Sequence, residues 1–113
     1  MLEIRFIMNS PVADIFAFKT CCGLKMFDQN LEIHLVNRGT KPIVVPSFFD
    51  WGTPEEVRRF DCLVPPEGLR IDPGEIKAFY CCMDENLWNK GESATFYDQE
   101  GNRYPVAVNR AKG

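Results

Sequence analysis

The most reactive side chains in this sequence are its five cysteines. Four of them form adjacent pairs, Cys21-Cys22 and Cys81-Cys82, and Cys62 stands alone between the pairs. Thiolates bind soft metals and exchange disulfides. A metal-binding or redox-responsive domain using Cys21, Cys22, Cys81 and Cys82 is therefore one of two functional readings of the chain. The spacing weighs against it. A zinc site separates its paired cysteines by a few residues, whereas successive residues of a strand point to opposite faces. One member of each pair then serves as a small core residue and the other lies nearer the surface.

The remaining chemistry is sparse. His34 is the only histidine, and on the alternation around it the ring shares an outer face with Glu32, without a serine or cysteine motif beside it in sequence. Asp98-Gln99-Glu100-Gly101-Asn102 carries several oxygen ligands but lacks the spacing and closing glutamate of an EF-hand, so a hairpin turn accounts for it. Phe48-Phe49-Asp50-Trp51-Gly52 places three aromatics within four positions. They cannot all face one core from a single strand. Exposed aromatics anchor protein interfaces, which makes Phe48, Phe49 and Trp51 the candidate partner-binding residues. The competing role for Trp51 is to plug the end of the core with Trp88 from another loop. No nucleophile motif, phosphate loop or paired carboxylates appear, so no catalytic residue and no cofactor are expected.

These residues need elements to hold them, and composition says which kind. A chain of 113 residues, 45% hydrophobic, is long and apolar enough for one packed domain. Eight glycines and eight prolines punctuate it often, as many short strands require. The net charge is −3 with no basic stripe, Arg58-Arg59 being the densest basic spot, so a nucleic-acid partner is not expected. No apolar run approaches the length that spans a bilayer, so neither is a membrane. In residues 1–13, Glu3 and Arg5 interrupt any secretory apolar core, and the odd cysteine count fits a reducing compartment. Together these point to the cytoplasm.

Period-2 alternation recurs along the chain. Residues 2–8, 15–22, 31–36, 43–45, 60–64, 69–71, 75–83, 94–97 and 103–108 read as strands. If Phe16, Phe18, Thr20 and Cys22 share the inner face of the second, Lys19 and Cys21 point outward. The loop after it folds Met26 and Phe27 over one end of the core. Thr53-Pro54-Glu55-Glu56 has the chemistry of a helix start, so one short helical turn is expected near residues 54–59. Asp84 to Gly91 reads as a loop or a loose helical turn. Residues 94–108 carry the best local hairpin signal, and Pro105 makes the last strand an edge strand or turns its nitrogen to solvent. Seven to nine short strands with almost no helix make the chain an all-β antiparallel sandwich or small barrel.

Three places carry a resemblance from about residue 28 onward. They are residues 31–46, with an alternating strand, Asn37-Arg38-Gly39 and a Pro-Ile-Val-Val run; Leu69-Arg70-Ile71-Asp72-Pro73-Gly74-Glu75; and the aromatic strand and turn of residues 97–104. In this order the chain resembles the immunoglobulin-like and fibronectin-III-like β-sandwich domains found in many uncharacterised bacterial proteins. It departs from antibody domains in lacking their Cys…Trp…Cys spacing. The resemblance implies a two-sheet sandwich and no activity, since such folds host many functions. It also implies that the first strand, the strand at 31–36 and the strand at 75–83 are neighbours in one sheet. The strands at 31–36 and 43–45 then belong to different sheets, and residues 37–40 form an arch instead of a hairpin turn. The function that follows is non-catalytic: protein–protein interaction with a partner, or self-association as a homodimer through a sheet edge.

Overall fold

The computed structural model describes residues 2–8, 29–83 and 85–107. They form nine strands and one short helix. In chain order these are β1 (Leu2–Met8), β2 (Gln29–Asn37), β3 (Ile43–Val45), β4 (Phe49–Gly52), β5 (Val57–Phe60), β6 (Leu69–Ile71), β7 (Ile76–Met83), α1 (Glu85–Lys90), β8 (Ser93–Tyr97) and β9 (Arg103–Ala107). The strand expected at residues 15–22 and the loop with Met26 and Phe27 lie outside the described residues, as do Cys21 and Cys22.

All pairings are antiparallel. One sheet runs β1-β2-β7, a second runs β5-β4-β8-β9, and β3 and β6 form a separate two-stranded sheet. The first strand, the strand at 31–36 and the strand at 75–83 are thus neighbours, as the resemblance implied. Alternation decides which side chains face in. Leu31, Ile33 and Leu35 of β2 and Phe79, Cys81 and Met83 of β7 are buried, as are Phe49 and Trp51 of β4 and Ala94 and Phe96 of β8. The two inner faces meet ring against ring. Phe6 of β1 lies 6.2 Å from Phe49 edge-on and 6.4 Å from Phe96, and Phe79 of β7 stacks on Phe96 at 6.5 Å. Such packed aromatic pairs add to the stabilisation from burial alone.

β2 and β3 share no ladder, so residues 38–42 are an arch that carries the chain from one sheet to another. Its staple is the fully buried Asn37. The side-chain amide donates to the carbonyls of Lys41 at 2.8 Å and Ile71 at 2.9 Å, and its oxygen accepts from the Gly39 N–H at 2.9 Å. Gly39 itself is not in the left-handed region. The arch is held by a side chain and does not depend on glycine's backbone freedom.

The helical turn expected near residues 54–59 is not formed. Thr53 Oγ1 does accept from the Glu56 N–H at 3.2 Å, the bond an N-cap makes. Yet the Thr53 N–H also donates to the Glu56 carbonyl at 2.9 Å, and the Glu56 N–H donates to the Thr53 carbonyl at 3.2 Å, which closes a hairpin. β-branched Val57 and aromatic Phe60 then pair back along β4. Gly52 permits the close turn: its φ is +148°, and a Cβ there would lie 2.0 Å from the Glu56 carbonyl oxygen. The one helix of the described residues is α1, at the place read as a loop or a loose helical turn.

Candidate functional site at the open edge of the larger sheet

The aromatic candidates separate. Phe49 is fully buried and Trp51 is 2% exposed, so neither presents a surface to a partner. Alternation along β4 turns both inward, and Trp51 stacks on Trp88, 5.3 Å away and 11° from parallel. The plug is the role that Trp51 fills. Only Phe48 reaches the surface, under the Arg59 guanidinium at 4.1 Å and beside Tyr97 at 5.7 Å. On this outer face Asp50 accepts from Arg59 Nε at 3.3 Å and from the Tyr97 hydroxyl. That bond and burial, aided by the Asp50 charge, raise the Tyr97 pKa above the usual tyrosine value, although Arg103 pulls it back.

The other candidates are local. His34 is half-buried, with Nε2 on Glu32 of the same strand face. Cys81 lies in the core and Cys62 is exposed. Among the described residues, no group of three or more His, Cys, Asp and Glu side chains is arranged to hold a metal ion. The Asp98 turn consumes its own ligands. Asp98 accepts from the backbone N–H groups of Glu100 (2.8 Å) and Asn102 (2.9 Å), the Asn102 side chain (2.9 Å) and the Tyr104 hydroxyl (2.8 Å). Burial pushes the Asp98 carboxyl up, but these bonds outweigh it and hold the pKa below the ordinary aspartate value.

What the strands leave available is backbone. In an antiparallel ladder, pairs that exchange hydrogen bonds alternate with pairs that do not. Because Thr53 and Glu56 exchange both bonds, Arg58 and Phe60 turn their N–H and C=O toward β4. Val57 and Arg59 turn theirs away, to the open side of β5. Among the described residues nothing covers them.

Three other edges carry a guard. On β3, the outward N–H of Val44 donates to Gln99 Oε1 at 2.9 Å. Beside β7, Val64 and Tyr80 exchange both backbone bonds at 2.9 Å. β9 is an edge strand, and counting from Asp98 and Asn102, the register sets Pro105 opposite Thr95 with its nitrogen outward. An edge with Pro at its centre offers no donor there. β5 has no such guard, and it carries Val57, 59% exposed, between Glu56 and Arg58.

Beneath β5, a cleft of about 570 Å³ runs between the β4–β5 hairpin and α1, with Trp51 and Leu87 at its floor and Glu56, Arg58 and Lys90 at its rim. Glu56 is bound to Arg58 at 3.1 Å, and both side chains are mostly exposed. Sequence reasoning assigned Glu55 and Glu56 to a helix start and so missed this edge. The signal that would have found it is the run of Val57, Arg58, Arg59 and Phe60, whose residue types suit a strand better than a helix.

Comparison of the chain with protein-family models, with curated proteins and with solved structures gives no match. Among the described residues, no helix is long and apolar enough to cross a membrane.

Proposed function

We propose that this protein is a non-catalytic, immunoglobulin-like β-sandwich whose role is association with protein through the β5 edge. The observation that carries the reading is the contrast between edges. β3, β7 and β9 are capped by Gln99, Val64 and Pro105, while among the described residues β5 leaves the backbone of Val57 and Arg59 open. Unguarded edges recruit further strands, and proteins guard those that must not. The strand order β1-β2-β7 facing β5-β4-β8-β9 supports the immunoglobulin-like or fibronectin-III-like assignment. The candidate surface is Val57, Arg59 and Phe48, with Phe49 and Trp51 behind it as its support.

A photo-reactive residue tests the reading. Placed at Val57, it should form the chain's cross-links to protein, its own copies included. Placed at Ala107, on the opposite edge of the same sheet, it should form none. Cross-links from position 107 and not from 57 would put association elsewhere and sink the proposal.

A further inference from the structure

We propose that the partner at this edge is a second copy of the chain, its β5 paired antiparallel about a two-fold axis through Val57. The inference rests on the edge reading above and deepens it. Its ground is the charge order Glu56-Val57-Arg58, which is complementary to itself when reversed.

Strand geometry fixes what pairs with what. Val57 points its N–H and C=O out from β4, so two copies can exchange both bonds at this position. Glu56 then lies opposite Arg58 of the partner subunit, on both sides of the axis. Val57, already 59% exposed, meets its own copy. Opposite charges placed directly across a ladder stabilise it, and like charges destabilise it.

The alternatives fail on the same rule. An axis through Arg58 or through Arg59 sets arginine against arginine, and one through Glu56 sets glutamate against glutamate. An axis through Phe60 would set Arg59 against Asp61 of the partner subunit, but Asp61 lies beyond the end of β5. Val57 is therefore the centre within β5 that sets Glu56 against Arg58 on both sides.

The side chains are already arranged for it. Glu56 and Arg58 lie on one strand face, 3.1 Å apart, with 70% and 74% of their side chains exposed. Two copies would close them into a ring of alternating charge. Arg59 is held on the other face by Asp50 and the Phe48 ring. The result would join two four-stranded sheets into one continuous sheet. A strand this short buries little area, so the dimer is weak.

Sedimentation velocity of the full chain, carried to high concentration, tests the inference. A reversible monomer–dimer equilibrium is expected. E56R and R58E should each weaken it by roughly tenfold. An equimolar mixture of the E56R and R58E chains should associate again, and so should the doubly exchanged E56R/R58E chain. A chain that stays monomeric throughout, or a dimer indifferent to these charges, overturns the inference. V57P separates the two proposals, since the Val57 N–H makes no bond to β4 and proline there blocks only the edge; V57K serves if V57P fails to fold. A dimer lost in V57P but blind to the charge exchanges refutes the register and leaves the edge reading standing. A dimer that survives V57P refutes the edge reading itself.

Discussion

Trp51 and Trp88 stack face to face, 5.3 Å between ring centres, although they stand 37 positions apart on a strand and a helix. The Trp51 indole N–H donates to the carbonyl of Leu87 at 2.8 Å, the residue just before its partner. One ring contact and one hydrogen bond thus fasten α1 over the end of the larger sheet. The floor of the cleft beside β5 follows from that fastening.

Gly91 is the tightest point of this arrangement. A Cβ there would lie 2.0 to 2.4 Å from three atoms of the Trp51 ring, which is packed and cannot step aside. Gly91→Ala should therefore cost about 2 kcal/mol, lowering Tm by roughly 10 °C in a domain of this size. Thermal melts check it. An unchanged Tm would mean that Trp51 is not seated against that backbone.

Asn37 should be the costliest polar residue to replace. Asn37→Ala strands the Lys41 and Ile71 carbonyls and the Gly39 N–H near the core, for an expected loss of about 3 kcal/mol. Asn37→Asp keeps the shape but turns an acceptor toward those same carbonyls, and should be at least as damaging. Urea denaturation of the two variants is the measurement, and a loss of only a few tenths of a kcal/mol would deny the arch its staple.

Gln99 guards β3 from outside. Its amide accepts from Val44 and lies 3.4 Å from the Pro42 carbonyl, from a turn some fifty-five positions away. Gln99→Ala should change global stability by about 1 kcal/mol or less. It should sharply raise the exchange rate of the Val44 amide, read by hydrogen exchange, while Ile43 and Val45 change little. A Val44 amide that stays protected would mean that something else covers this edge.

Tyr104 sets the alkaline limit. Burial, its hydrogen bond to Asp98 and the charges of Asp98 and Glu100 push its pKa from 10.0 up to about 12. A raised folded pKa means the native state holds its proton longer than the unfolded chain does. The contribution to stability is complete below the ordinary tyrosine value and is lost as pH rises toward about 12. Urea midpoints followed into alkali should fall in that window, and less steeply in Tyr104→Phe. Tyr97 and Tyr80, raised as well, should keep part of the slope. Identical slopes in the two proteins would contradict the assignment.

Much of the framework was legible because period-2 alternation reports burial directly. Leu31, Ile33 and Leu35 read as an inner face and are one, and Pro105 marked an edge strand correctly. The arch was legible from the order of strands. Where reading failed, one local chemistry served two structures. Thr53 and Glu56 make the same hydrogen bond in a helix cap and in this hairpin, and only the pairing of β5 with β4 decides between them. Phe48, Phe49 and Trp51 were ambiguous because alternation fixes which residues share a face but not which face is inside. α1 is only six residues long, too short for helical periodicity to stand out. The candidate edge was hidden for a different reason: whether a backbone N–H is free depends on every other strand.

The arch has a kinetic consequence. β2 and β7 pair across nearly forty intervening residues, and β3 meets β6 across more than twenty. Such closures come late, whereas a hairpin forms in microseconds. β4–β5 and β8–β9 are the two hairpins of neighbouring strands among the described residues. The β4–β5 hairpin, with Glu56 to Arg59 along its open edge, can therefore form on a nascent chain before the sandwich around it does. For the proposed dimer, this ribbon is then the part that two chains growing side by side on one messenger would present to each other first.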